Sequence, residues 1–351
     1  MKGEPLTERE QLVLEAVVRT YVETAEPTGS RTVVRRFNLP ISPATVRNTM
    51  SDLEEKGYLC HPHTSAGRMP TDRAYRMYVD SLLGQPRSPI STRELRQQLE
   101  SGDRSGVELV LRRAAQVLGL LTNELGIAIT PQLGEIVLER LELLAVAEGK
   151  VLMVMTLRGG VVRTLFVDVP ARVPSPTLVA VARVLNERLA GLSLSEVRAS
   201  LSARLRDSAP AGDQAASELL NIFLQSADEW LQWPTTSDAV HLGRASVLAE
   251  QPEFQEGSKL RNLIELTERT DLLQSFLAGR IGSAGLHVTI GAEHEDPALS
   301  DFTVITSEYH AGNLRGVIGV IGPTRMPYDR VITLVESTSA HVSDFLTGFT
   351  A

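Results

Sequence analysis

A single cysteine, Cys60, excludes any internal disulfide and suits a reducing compartment. Long apolar runs are also missing: the longest, Val151 to Leu157 and Leu165 to Val169, fall far short of a bilayer span. The N-terminus is acidic and has no apolar signal-peptide core, so export is not expected and a cytoplasmic location is. Nor is there a surplus of positive charge. With 35 Lys and Arg against 43 Asp and Glu, the formal net charge of −8 excludes a protein that coats nucleic acid indiscriminately. A chain of 351 residues has room for two or three domains, each with a core of its own.

The charge is uneven, however. Residues 27 to 76 carry Arg31, Arg35, Arg36, Arg47, Lys56, Arg68, Arg73 and Arg76 against Asp52, Glu54, Glu55 and Asp72, a local net of +4 that leaves −12 for the remainder. A basic patch on an acidic molecule favours local, oriented docking on nucleic acid. Its centre runs from Ser42 to Arg76. Ser42 is a good helix N-cap and Pro43 suits the first helical position. Val46, Met50 and Leu53 then fall at i, i+4 and i+7 on one apolar face. Opposite them stand Thr45, Arg47, Asn48 and Ser51, side chains able to bond base edges and phosphates. Gly57 ends the helix, and a polar segment from Tyr58 to Met69 follows, in which Pro62 allows only an edge or loose hairpin. Upstream, Leu6 to Val22 reads as a helix with a Thr7/Glu10 capping box, and Ser30 to Phe37 as a short one. Thr71 caps a further helix that packs Tyr75, Tyr78, Val79 and Leu82 inward. The expected unit is a winged helix-turn-helix DNA-binding domain over residues 1–80.

Residues 81–106 read as a linker and an interrupted helix, followed by a helix from Val107 to Leu121. Three β-rich runs come next, Leu141 to Ala147, Lys150 to Leu157 and Val161 to Asp168, separated by hairpin signals at Glu148-Gly149 and Arg158-Gly159-Gly160. Helices are expected over Thr177 to Ala190, Ser193 to Leu205, Leu219 to Trp233 and Leu260 to Leu277, with a strand near Val240 to Leu248. Strands return at Leu286 to Ile290, Thr303 to Tyr309 and Gly316 to Ile321, before a closing helix from Arg330 to Leu346. The fold class is therefore α+β and multidomain. One antiparallel sheet is expected to be split between residues 107–192 and 280–351, with 193–279 inserted as a largely helical region. Trp230, Trp233, Leu220 and Phe223 share an apolar helical face there, and a subunit interface competes with ordinary core as its explanation.

The run Ser42-Pro43-Ala44-Thr45-Val46-Arg47-Asn48-Thr49-Met50, then Leu53 to Leu59, closely resembles the heat-inducible transcription repressor family HrcA. So does Pro62-His63-Thr64-Ser65-Ala66-Gly67-Arg68-Met69-Pro70-Thr71-Asp72, followed by Tyr75-Arg76 and Tyr78-Val79-Asp80. Gln251-Pro252-Glu253-Phe254, Ile290-Gly291-Glu293 and the segment from Gly319 to Tyr328 extend the likeness over nearly the whole chain. The resemblance implies a repressor that binds an inverted-repeat operator upstream of chaperonin and related chaperone genes. It also implies that the split domain is GAF-like, that the inserted one dimerises, and that a GroEL-type chaperonin keeps the repressor competent.

Within the reading head, Arg47 suits guanine O6 and N7 and Asn48 suits adenine N6 and N7. Thr45 suits a methyl group or phosphate, and Ser42 a phosphate at the helix start. Ser30, Arg31 and Thr32 open the preceding helix, where free N–H groups also suit a phosphate. His63, Thr64, Ser65 and Arg68 offer donors on a glycine-bent loop, with a loop-stabilising role as the rival for Thr64 and Ser65. Cys60, His61 and His63 have no fourth ligand nearby, so no metal is expected. Gly316, Gly319 and Gly322 lack the Lys-Ser/Thr of a phosphate loop and read as strand glycines. No catalytic constellation is present and no cofactor is implied, so an enzyme is not expected. The runner-up function is a metabolite-responsive winged-helix regulator with its ligand in the GAF-like domain.

Overall fold

The computed structural model describes residues 5–62, 67–84, 107–130, 136–147, 149–158, 161–169, 173–206, 213–227, 240–255, 257–283, 285–311 and 314–350. Helix α1 (Glu8–Thr24) starts at Thr7, whose side chain accepts from Glu10 N–H while the Glu10 carboxylate accepts from Thr7 N–H. It buries Val13, Leu14, Val17 and Val18. Helix α2 (Ser30–Phe37) ends at Asn38 in the left-handed region. Helix α3 (Pro43–Glu55) is capped by Ser42 and buries Val46, Met50 and Leu53, the face its spacing predicts. Strands β1 (Leu59–Cys60) and β2 (Met69–Pro70) pair antiparallel, and α4 (Asp72–Leu83) buries Tyr75, Tyr78 and Val79.

Helix α5 (Val107–Thr122) is followed after two residues by β3 (Leu125–Ile129), a strand that hydropathy alone does not reveal. All five of its residues are buried, so no alternation separates it from a helix. Gly126 lets α5 lie on it, because a Cβ there would collide with the Ala115 carbonyl.

The next strands, β4 (Leu138–Ala147), β5 (Lys150–Leu157) and β6 (Val161–Asp168), follow their expected bounds closely but not their expected partners. They form a three-stranded antiparallel sheet of their own. The C-terminal strands belong to a separate five-stranded sheet, in the order β7 (Val240–Leu242), β3, β10 (Leu314–Pro323), β9 (Phe302–Ala311) and β8 (Leu286–Ile290). The expected split sheet does form, joining β3 from residues 107–192 to β8, β9 and β10 from residues 280–351, but β4 to β6 are not part of it, and that part of the expectation is corrected. Short connections let β4 to β6 satisfy one another locally, and α6 (Ser175–Leu189) closes their inner face. Its Asn186 side chain accepts from Leu141 N–H at 2.8 Å and donates to Leu141 O at 2.6 Å.

Two compact units result. One holds residues 1–128, 241–308 and 318–339; the other holds 129–240, 309–317 and 340–351. The expected insert, 193–279, is therefore divided: α7 (Leu194–Leu205) and α8 (Gln214–Gln225) lie in the second unit with β4 to β6. In the first unit lie α9 (Ser246–Ala249), α10 (Gly257–Glu268) and α11 (Thr270–Ala278). The helix expected over Leu260 to Leu277 is broken at Arg269. Leu220 and Phe223, candidates for a subunit interface, are 3% and 0% exposed within the single chain, so they are core. Trp230 and Trp233 lie outside the described residues. The closing helix is α12 (Tyr328–Thr350).

Candidate nucleic-acid interface

The starts of α2 and α3 and the outer face of α3 carry the predicted contact residues. The N-cap of α2 is Gly29, so Ser30 is not the cap; it sits half-buried in the first turn, with Arg31 and Thr32 exposed beside it. At the start of α3 the Ser42 hydroxyl accepts from Thr45 N–H at 3.1 Å and lies 2.9 Å from the Thr45 hydroxyl. Those two side chains already satisfy each other. Arg47 and Asn48 are exposed, Ser51 is half-buried, and Thr49 turns inward to donate to Thr45 O at 3.1 Å.

Ion pairing separates the eight cations of residues 27–76. Arg36 pairs with Glu23, Lys56 with Glu10 at 2.7 Å, Arg68 with Glu54 at 2.8 Å and Arg76 with Glu293. Arg73 donates to Lys56 O at 2.7 Å and lies over the Tyr58 ring. Arg31, Arg35 and Arg47 are exposed and have no ion-pair partner among the described residues. The positive charge left for a polyanion is therefore concentrated on α2 and α3.

The hairpin base explains Arg68 differently from the expectation. Its backbone bridges Thr28 in both directions, at 2.8 and 3.0 Å, and its guanidinium is held by Glu54, which also holds His61 Nδ1 at 2.6 Å. Arg68 is a brace for the loop rather than a free donor. Cys60 lies at the surface, and the partial burial of its thiol, with Glu54 nearby, pushes the thiol up, away from reactivity. Among the described residues no cluster of three metal-ligating side chains occurs. His63, Thr64 and Ser65 lie outside the described residues. Gly67 is required by the bridge: a Cβ would stand 2.5 Å from the Thr28 carbonyl carbon and oxygen. Gly67→Ala is expected to cost about 1–2 kcal/mol in chemical denaturation, through overpacking and loss of the bridge.

Residues far away in sequence hold this head, and none of them was singled out by its chemistry. Arg76 donates from Nε to Glu293 at 2.6 Å, from Nη2 to both Glu293 and the Val288 carbonyl, and from Nη1 to Asp80 at 3.4 Å. Asp72 accepts from Ala292 N–H at 2.9 Å. Arg325 forks onto Glu253 and caps α1 by donating to Val22 O at 2.8 Å. Tyr75 and Tyr78 pack against Tyr328, with ring centroids 5.9 and 6.5 Å apart. Except for Val288, these distant partners fall in the C-terminal segments given for their family likeness, which is the one available signal. Burial disfavours the Glu293 carboxylate, but Arg76 and the Ile290 N–H outweigh it and hold the carboxyl below its ordinary value of 4.5. A depressed carboxyl contributes stability above that ordinary value and loses it as pH falls through the folded one. The stability gap between the protein and Glu293→Gln is expected to be constant near neutral pH and to close below about pH 4.5, by thermal unfolding across pH.

The family model for the HrcA protein C-terminal domain matches residues 108–332. The chain belongs to the HrcA family. Among HrcA relatives, the heat-inducible transcription repressor HrcA of Chlorobium phaeobacteroides is 36% identical, covering 97% of this chain and 98% of its own. That of Shouchella clausii is 37% identical, over 98% and 99%. A crystal structure of a hypothetical protein shares the fold, with TM-score 0.67 and 24% identity over 98% of this chain and all of that one. The HrcA assignment spans both compact units and the head.

Proposed function

We propose that this protein is a sequence-specific DNA-binding repressor of heat-shock genes, reading an inverted-repeat operator as a homodimer. The observation that carries this reading is the exposed pair Arg47 and Asn48 on a helix whose neighbouring arginines, Arg31 and Arg35, have no ion-pair partner among the described residues. Three helices and a two-stranded hairpin support reading the head as a winged helix-turn-helix, with α3 as the helix offered to the major groove. The names of the relatives, heat-inducible transcription repressors, support repression and its release by heat. They also support a regulator rather than an enzyme, acting in the cytoplasm on chromosomal DNA. The five-stranded sheet and its helices serve as the GAF-like platform. A GroEL-type chaperonin, implied by the family resemblance alone, keeps the repressor active until unfolded proteins compete for it.

Dimerisation is best placed on the outer face of β4 to β6. Cross-strand register aligns Leu144, Leu152 and Phe166 on that face, with Val154 and Val162 in neighbouring rows. A solvated antiparallel face ordinarily alternates to polar residues, yet Leu144, Val162 and Phe166 are 51%, 58% and 63% exposed. A second copy on the same face would bury them symmetrically. Phe166→Asp is expected to give a folded monomer in sedimentation, with operator binding weakened at least tenfold because one head reads only a half-site. The decisive experiment is footprinting of the purified protein, with chaperonin present, on its genome's chaperonin promoters. A symmetric protected repeat supports the reading; unprotected DNA at every temperature sinks it.

A further inference from the structure

A cavity of about 760 Å³ opens between α11, β8 and the turn after β8, and its polar groups are not those of the DNA-facing surface. Arg280 is half-buried in its wall, lies over the Phe276 ring at 4.9 Å, and donates one terminal nitrogen to the Thr289 hydroxyl. No carboxylate pairs with it among the described residues, and the same holds for Arg269 at the other side of the opening. His294 lies in the wall, 8% exposed. Neither of its ring nitrogens has a well-formed hydrogen bond, although the Phe302 and Thr289 carbonyls are near. Leu272 and Leu299 are buried at its base. A hydroxyl and a ring face repay only part of the desolvation of a half-buried guanidinium, and its remaining donors have no carboxylate partner among the described residues, which leaves them for an anionic ligand.

We propose that this cavity binds a small organic molecule through its carboxylate, held by the guanidinium of Arg280 beside His294, with an apolar body against Leu272, Phe276 and Leu299. A guanidinium with one edge already on Thr289 presents its remaining donors as a planar fork, which fits a carboxylate. Burial keeps His294 neutral, able to donate one hydrogen bond without demanding a second anion. The rim is acidic, with Asp271 and Glu295 exposed. That rim repels a dianion such as phosphate and welcomes a ligand whose far end is neutral or cationic. Glu293 is a wall residue of the same cavity and the residue that holds Arg76. Occupancy therefore bears on the turn that clasps the head, a coupling that rests on the DNA-binding reading, whereas ligand binding itself does not.

The test uses the full chain and three probes, hexanoate, 6-aminohexanoate and hexanamide, followed by ligand-observed NMR. Saturable binding is expected for both carboxylates, in about the millimolar range suited to so few atoms, with 6-aminohexanoate at least as tight. Hexanamide and inorganic phosphate should be about tenfold weaker or undetectable. Arg280→Met should abolish the difference between hexanoate and hexanamide. Ser275→Trp, at the exposed mouth and away from the cation, should block all three probes, so a folding defect in the first variant does not decide the matter. Equal binding of hexanoate and hexanamide, tighter binding of phosphate, unchanged binding in both variants, or no binding overturns the proposal. With operator DNA present, 6-aminohexanoate should shift operator affinity in the unaltered protein and not in Glu293→Gln. Binding without such a shift overturns the coupling and leaves the site standing.

Discussion

Arg47→Ala is expected to weaken operator binding by about 1–3 kcal/mol per head, and by up to twice that in a dimer engaging both half-sites. The position is well suited to an unambiguous result. Arg47 is exposed and has no ion-pair partner among the described residues, so its removal touches no packing. Thermal stability should stay within about 0.5 kcal/mol of the original, as for other surface positions, and any loss of affinity is then a loss of contact. Two further readouts say what the contact is. If Arg47 bonds a guanine edge, sequence preference relaxes at one base pair of each half-site. If it bonds phosphate, all sequences weaken together and the salt dependence of log K becomes shallower by about one counterion per head. An unchanged dissociation constant for the operator would remove α3 as the reading element. Asn48 should behave in the first manner only, since an amide neutralises no phosphate charge.

Arg325→Met is expected to destabilise the first compact unit by about 3 kcal/mol. The Arg325 and Glu253 side chains are only 15% and 18% exposed, and the guanidinium also serves the Val22 carbonyl at the end of α1. Removing the arginine strands a carboxylate in a place that water reaches poorly, and leaves a helix-end carbonyl unsatisfied. The double variant Arg325→Met/Glu253→Met should recover most of the loss, because the penalty belongs to the unpaired charge rather than to the missing attraction. Arg325→Lys should recover little, as an ammonium cannot fork onto both carboxylate oxygens while reaching Val22. Urea unfolding of these proteins, with Glu253→Met alone added, closes the double-mutant cycle. Equal stability of the unaltered protein and Arg325→Met would mean that the head is not held there.

What was legible beforehand follows the range of the forces involved. The cap at Ser42, the capping box at Thr7 and the β-rich run that becomes β5 are written within a few residues, and each appears where expected. Partnering is not written that way. Leu138 to Asp168 contains strands whichever sheet they join, and nothing local says that they pair only with one another. The apolar face of Leu220 and Phe223 looks the same whether a neighbouring helix or a second subunit covers it, and here it is the chain itself. Arg68 resembled a DNA donor because its partner, Glu54, sits on the preceding helix and could equally have faced solvent. Arg31, Arg35 and Arg47 could be told from the other cations of the patch only once every acid had been assigned. The outward apolar row of β4 to β6 was present as residues but invisible as a surface until register aligned it.

The contacts that hold the head also impose a schedule. Arg76 and Glu293 are 217 residues apart, and Arg325 reaches Val22 across 303. Leu83, the last residue of α4, precedes Arg325 by 242 residues, so at about 5–20 residues per second the head is fully synthesised roughly 12–48 s before the arginine that caps its first helix exists. For that interval α1 to α4 must stand on their own small core. A chain that stops before residue 253 has those helices without Glu253, Glu293 and Arg325, the long-range partners that hold them in the complete protein.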